Sequence, residues 1–219
     1  MKLVIFDFDG TLVDSRRLIT ESNRVVFGQF GFAPPSEEAS FSLVGMSLEL
    51  VLLRLAGPDA PVEKMLAAYQ RLVPLLRADA AYAEVPFDGA AALLAALSKH
   101  KDVHLGIATG HVSQTIAPAL ERLGWRSHFS TVQTTDKAPS KPHPEMLFQA
   151  LSETNVEATD AIMIGDTAFD IEMARAAGVP SVAVSWGYHR HDRLRGAGAS
   201  RVVNDMKELS DYLFESISS

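Results

Sequence analysis

The chain has 219 residues, of which 47% are hydrophobic, and carries a formal charge of −7 with no cysteine. That length is enough for one domain with a large insertion or for two small domains, either with a substantial core. The acid excess excludes a general basic surface for nucleic acid, the missing cysteines exclude disulfides and thiolate chemistry, and no stretch approaches the roughly 20 apolar residues of a membrane span.

The first element is read at Leu3 to Phe6, a continuous, partly β-branched apolar run of the kind found in a strand buried on both faces. The run is too short for a secretory signal and ends in acids, so a soluble cytoplasmic protein is expected. Asp7-Phe8-Asp9-Gly10-Thr11 follows directly. Side chains two apart on an extended chain point the same way, so Asp7 and Asp9 address one site at the strand end, where open α/β sheets place their chemistry. Two like charges beside a buried strand are costly without a neutralising cation. Asp14 and Ser15 read as a cap for the next helix.

From Ser15 to Glu84 the pattern turns helical, with periods at Leu18 to Phe30, Leu48 to Leu55 and Val62 to Ala80, broken by Pro34-Pro35 and Gly57-Pro58. Residues 15–85 are therefore expected as a helical insertion in an α/β unit formed by 1–14 and 86–219. An insertion that leaves beside Asp9 lies over the strand ends, where a lid would sit. Its loop Val44-Gly45-Met46-Ser47 is equally well read as a turn starting a helix.

After Val103, strands are predicted at Val103 to Ala108, Phe129 to Gln133, Ala161 to Ile164, Ser181 to Val184 and Ala199 to Val203. Helices are predicted between them near Val112 to Leu123, Pro144 to Glu153, Phe169 to Ala177 and Asp205 to Phe214, the βαβ rhythm of a parallel sheet. Three strand ends carry polar groups. Thr109-Gly110-His111 offers a hydroxyl and a glycine whose N–H can approach an anion, or else an ordinary helix cap. His111 reads as an exposed first-turn residue or as a residue lining the site. Lys141, held between Ser140 and Pro142-His143-Pro144, can hold a phosphoryl oxygen and offset clustered carboxylates, or is solvated surface. Gly165-Asp166 ends another buried strand, and Asp170 falls in the first turn of the next helix, where the dipole favours an acid. Asp7, Asp9 and Asp166 together make an oxygen-rich site suited to Mg²⁺. His189 and His191 read as a surface loop pair, and no zinc pattern is present.

In that order and at that spacing, Asp7-Phe8-Asp9-Gly10-Thr11, Thr109, Lys141 and Gly165-Asp166 with Asp170 resemble the four motifs of the haloacid dehalogenase superfamily. The likeness spans nearly the whole chain and is to its phosphoglycolate phosphatase-like and β-phosphoglucomutase-like branch. It implies a Rossmann-like α/β core with a parallel sheet and an inserted all-helical cap. It further implies a Mg²⁺-dependent phosphatase for a small phosphorylated metabolite, phosphoglycolate or a sugar phosphate, with no nucleic-acid or membrane partner, as a monomer or homodimer. By the resemblance Asp7 is the nucleophile that forms an aspartyl phosphate, and Asp9 is the acid and then base, which calls for a raised pKa. Asp7, the Asp9 carbonyl and Asp166 would bind Mg²⁺, supported by Asp170. Thr109, the Gly110 N–H and Lys141 would hold the phosphoryl group, with His111, Gly45, Met46 and Ser47 toward the substrate.

Other functions fit less well. A β-phosphoglucomutase-type mutase carries a cap histidine twelve residues after the nucleophile, where this chain has Ile19, and Glu-Asp where it has Gly165-Asp166. A dehalogenase lacks the Asp9-Gly10-Thr11 form of the first motif. A phosphonate hydrolase needs a reactive cap lysine, and Lys64 has no surroundings that would lower its pKa. A receiver-like phospho-accepting module would lack both Asp9 and the insertion, and a silent scaffold would not need all these side chains.

Overall fold

The computed structural model describes residues 2–218. In chain order the elements are β1 (Lys2–Phe6), β2 (Val13–Asp14), α1 (Arg16–Gln29), α2 (Glu37–Phe41), α3 (Leu48–Ala56), α4 (Val62–Ala78), β3 (Val85–Pro86), α5 (Ala90–Leu97) and β4 (Val103–Ala108). There follow α6 (Ser113–Arg122), β5 (Thr131–Gln133), α7 (Glu145–Thr154), β6 (Ala161–Gly165), α8 (Ala168–Ala176), β7 (Ser181–Val184), α9 (His191–Ala197), β8 (Arg201–Val203) and α10 (Met206–Ser218).

Six strands form a parallel sheet in the order β5-β4-β1-β6-β7-β8. Continuous apolar runs produce this because each strand is covered on both sides. Val4 and Phe6 enter one core with Leu94, Leu105, Ile107 and Leu209, while Leu3 and Ile5 enter the opposite core with Met146, Met163 and Met173. The register levels the strand ends: Phe6 pairs with both Ile107 and Ile164. Asp7, Thr109 and Asp166 therefore leave the sheet along one edge, at the central strands.

Helices α1 to α4 bury a core of their own, built on Val26, Phe27, Leu52, Met65 and Tyr69. The chain enters and leaves this segment through a two-stranded antiparallel ribbon, β2 against β3, with Val13 opposite Pro86. The five sheet strands predicted after Val103 are all present, with β5 and β8 each starting two residues later than expected. Three helices were not predicted. The α5 sequence AAALLAAL is apolar on every side and shows no helical period, while α2 and α9 span five and seven residues, too few to display one.

Candidate active site

Asp7 sits one residue beyond β1, and its backbone N–H still donates to the Ile164 carbonyl at 2.9 Å, so the side chain is held by the sheet itself. It is 1% exposed. Its Oδ1 accepts the Phe8 N–H at 2.7 Å and lies 2.9 Å from Lys141 Nζ, while its Oδ2 has no partner. Lys141 is fully buried and donates also to Asp170 Oδ1 at 2.6 Å. Its reading as solvated surface is thus excluded.

Asp166 and Asp170 complete the floor. Asp166 accepts from Thr11 Oγ1 at 3.0 Å and from the Tyr188 N–H at 2.8 Å. Asp170 forms a reciprocal capping box with Thr167 at the start of α8, accepting its N–H and hydroxyl at 3.0 and 2.7 Å. Among the described residues Asp7, Asp166 and Asp170 bring one carboxylate oxygen each within 4.8 Å of one another. Two glycines make this approach possible. Gly10 turns at φ +82°, and a Cβ on Gly187 would lie 2.2 Å from Asp166 Oδ2.

Burial dominates the electrostatics of these acids. Desolvation pushes Asp7 up to about 7, against the opposing pull of Lys141 and with added repulsion from Asp170. Asp166 is raised well above the carboxylate range by burial, then by Asp7 and Asp170. For Lys141 burial works against the ammonium, but Asp170 and Asp7 outweigh it and the pKa rises. Hard oxygen donors, a carboxylate oxygen without a partner and mutual repulsion are what a Mg²⁺ ion relieves, so the donor set fits that ion.

Asp9 differs from its expected state. Burial acts to raise its pKa, yet the charge and hydrogen bond of His111, with the Ser15 hydroxyl and Arg77, hold it below the ordinary value. His111 Nε2 lies 2.6 Å from Asp9 Oδ2, and Ser15 Oγ donates to Asp9 Oδ1. The His111 pKa is raised: burial opposes its charge, but Asp9 outweighs it. The raised pKa that the acid role of Asp9 calls for is not found, because His111 supplies a cation. His111 is accordingly not an exposed first-turn residue. Its side chain is 19% exposed and faces the site, with Nδ1 3.2 Å from Thr115 Oγ1.

The other predicted residues divide. Thr109 is buried, and its Oγ1 accepts the His111 N–H at 3.3 Å; because α6 starts only at Ser113, Thr109 is not its cap. Gly110 packs against the insertion, where a Cβ would fall 2.4 Å from the Met46 carbonyl. Gly45, Met46 and Ser47 face the sheet edge, and Ser47 also starts α3, its N–H donating to Ser140 Oγ at 2.7 Å. Both readings of that loop hold together. Ser15 stands at the N-cap position of α1 but makes no side-chain cap bond, since its hydroxyl serves Asp9.

His189 is a correction. It is 4% exposed, accepting the Ala168 N–H on Nδ1 at 2.9 Å while Nε2 lies 3.1 Å from the Ser42 carbonyl of the insertion. The polar segment 186–191 looked like surface, but it follows β7 at the same sheet edge as the acids and folds back over them. His191, by contrast, is exposed. Thr11, Ser15 and Tyr188 are further polar contacts of the site that sequence reasoning passed over, and their shared signal is position after a buried strand.

A cavity of about 510 Å³ lies between the sheet edge and the helical insertion, with Asp7 and Asp9 at its floor. Comparison with known proteins bears on this geometry. The family model for haloacid dehalogenase-like hydrolase matches residues 4–184. The chain is 33% identical over 220 residues to a phosphoglycolate phosphatase of Rhodospirillum rubrum, covering 97% of this chain and 90% of that protein. It is 28% identical to an N-acetylmuramic acid 6-phosphate phosphatase of Pseudomonas aeruginosa, covering 97% and 95%. Among solved structures it is similar to a haloacid dehalogenase-like hydrolase of Streptococcus pneumoniae, with a TM-score of 0.83, 25% identity, and 97% and 98% of the two chains covered.

Proposed function

Given that the chain belongs to the haloacid dehalogenase-like hydrolases and is a phosphoric monoester hydrolase, we propose that it hydrolyses a small phosphorylated metabolite through an aspartyl phosphate on Asp7. One observation carries this reading: Asp7 is buried at the cavity floor with Oδ1 held by Lys141 and the Phe8 N–H and Oδ2 without a partner. A carboxylate pinned at one oxygen and free at the other is an oriented nucleophile. In this reading residues 1–14 and 86–219 are the catalytic core and residues 15–85 the cap.

Attack by Asp7 on phosphorus expels the substrate's alcohol oxygen, which needs a proton. Asp9 is ionised beside a His111 of raised pKa, so the pair holds one proton between Asp9 Oδ2 and His111 Nε2. That proton goes to the leaving oxygen. Asp9, left as a carboxylate, then takes a proton from the water that hydrolyses the acyl phosphate. Lys141, the Gly110 N–H and Thr109 hold the transferred group. Asp7, Asp166 and the Asp9 carbonyl would hold Mg²⁺, with Asp170 supporting through Lys141 and Thr167. The ion when bound would neutralise phosphoryl oxygen charge.

The sugar-phosphate mutase alternative is not favoured, because the wall position where such a mutase carries its histidine is the apolar Ile19. The test is orthophosphate release from phosphoglycolate, sugar phosphates and nucleotides, with and without Mg²⁺, for wild type and Asp7→Asn. Metal-dependent release that vanishes in Asp7→Asn is expected. Near-normal turnover in that variant would refute the mechanism.

A further inference from the structure

The cavity wall above Asp7 carries information about the leaving group. Its upper part is lined by Ile19, Val44, Val51, Leu66 and Val73 from the helical insertion. Among the described residues lining the cavity there is no lysine or arginine. Two guanidiniums stand behind the lining residues: Arg77 is buried against Glu84, and Arg54 is exposed with its Nη1 3.0 Å from the Met46 sulfur. His111 is already paired with Asp9. The acids that line the space are Asp7, Asp9 and, at the exposed rim, Glu49.

We infer that the enzyme is selective for phosphate monoesters of an uncharged, predominantly apolar alcohol, and discriminates against esters such as phosphoglycolate whose leaving group bears a carboxylate. The inference rests on the phosphatase reading of the site and departs from its named relatives only in the substrate. A carboxylate placed against this wall would lose its hydration, meet no cation beyond a His111 already held by Asp9, and face three acids. An alkyl or aryl group of matching size gains by leaving water. The densely hydroxylated ring of a sugar phosphate is also poorly matched. Tyr69, Asn23 and Ser40 line the cavity but hydrogen-bond one another, leaving little for a ring of hydroxyls. Ser22 offers a polar group in the wall: it lines the cavity, is 2% exposed, and its Oγ has no partner, so one neutral polar group on the alcohol would find a match there, while Ser47 and the exposed Gln70 add polar groups to the lining.

The experiment compares pentyl phosphate with 4-carboxybutyl phosphate, whose alcohols have nearly equal leaving ability and similar length, alongside phosphoglycolate and glucose 6-phosphate. The purified full-length enzyme is used with Mg²⁺. Pentyl phosphate is expected to have the highest kcat/KM, exceeding its carboxylated partner by at least about tenfold, the low end of what a single hydrophobic contact discriminates. Equal rates for the pair, or a preference for 4-carboxybutyl phosphate or phosphoglycolate, would overturn the inference while leaving the hydrolase intact. No Asp7-dependent release from any ester would instead refute the phosphatase reading on which the inference stands. Ile19→Arg supplies the missing cation and should shift the ratio toward 4-carboxybutyl phosphate, mainly through KM. An unchanged ratio in folded Ile19→Arg protein would show that this wall does not meet the leaving group.

Discussion

His189 should make the protein lose stability in mild acid. The imidazole is 4% exposed and uses both nitrogens, taking the Ala168 N–H on Nδ1 and giving its Nε2 proton to the Ser42 carbonyl. Only the neutral ring can do both, because a proton on Nδ1 would face the Ala168 N–H. Burial first, then the charge of Arg193, lowers its pKa from 6.5 to about 4. The folded state thus keeps His189 neutral where the unfolded chain takes up a proton. Stability from this residue is complete above pH 6.5, falls as the pH drops from 6.5 toward 4, and levels off below that. At 1.36 kcal/mol per pH unit of separation, the loss is about 2 kcal/mol at pH 5 and about 3 kcal/mol at pH 4.

Urea unfolding followed by fluorescence of Trp125 and Trp186 between pH 7.5 and pH 4.5 measures this, with His189→Gln as a reference that does not titrate. The carboxylates contribute alike to both proteins, so the difference between them isolates the histidine. That difference should move by about 2 kcal/mol against the wild type between pH 7.5 and pH 5. A difference constant to within about 0.5 kcal/mol would mean that His189 titrates in the fold as it does in the unfolded chain, and would refute the burial of a neutral imidazole as the cause.

Three further outcomes are expected. Glu84, whose side chain is inaccessible to solvent, neutralises the buried Arg77 of α4 and reaches Arg122 of α6 at 2.8 Å, so Glu84→Ala should cost roughly 3–5 kcal/mol by urea melt; joint replacement of Arg77, Glu84 and Arg122 by Met should recover most of it. Gly187→Ala would set a Cβ 2.2 Å from Asp166 and should raise the Mg²⁺ concentration for half-maximal phosphate release about tenfold, an unchanged value counting against Asp166 as a ligand. Lys141→Met removes the one ammonium between Asp7 and Asp170 and should lower kcat by at least about 10²-fold, with less effect on KM.

Much of this was legible in the sequence because the sheet is written in continuous apolar runs and the chemistry sits directly after them. Asp7 and Asp166 could be placed at strand ends from local pattern, Lys141 stayed open between phosphoryl binding and solvated surface until the resemblance placed it, and the structure brings the three together. What could not be read were partnerships set by tertiary contact. His189 meets Ser42 across 147 positions, and His111 meets Asp9 across 102. His189 looked like a surface loop residue, and His111 was open between an exposed first-turn reading and one lining the site, because each partner lies on another element. The raised Asp9 pKa called for by its acid role is overturned by the same kind of partnership, a neighbour no local window contains. Ser15 failed differently: its position before α1 is that of a cap, but the tight turn through Gly10 brings Asp9 within reach of its hydroxyl.

The charge balance of the floor suits it to a divalent ion. Asp7, Asp166 and Asp170, if all ionised, set three negative charges against the one positive charge of Lys141, all of them buried. Two uncompensated charges remain; the pKa values of Asp7 and Asp166 are raised first by burial and then by repulsion among the acids, so both tend to take up protons. A protonated Asp7 would be a poor nucleophile, so protonation is the wrong remedy for this site. Mg²⁺ carries the two charges required, binds oxygen, and keeps positions for substrate oxygens. Metal binding and proton binding therefore compete for the same carboxylates, and the apparent Mg²⁺ affinity should weaken as the pH falls through about 7, the region to which burial pushes Asp7. A Mg²⁺ titration of phosphate release at pH 6 and pH 8 separates the possibilities: a half-saturating concentration severalfold higher at pH 6 supports the competition, and equal values would show that the acids carry no such excess.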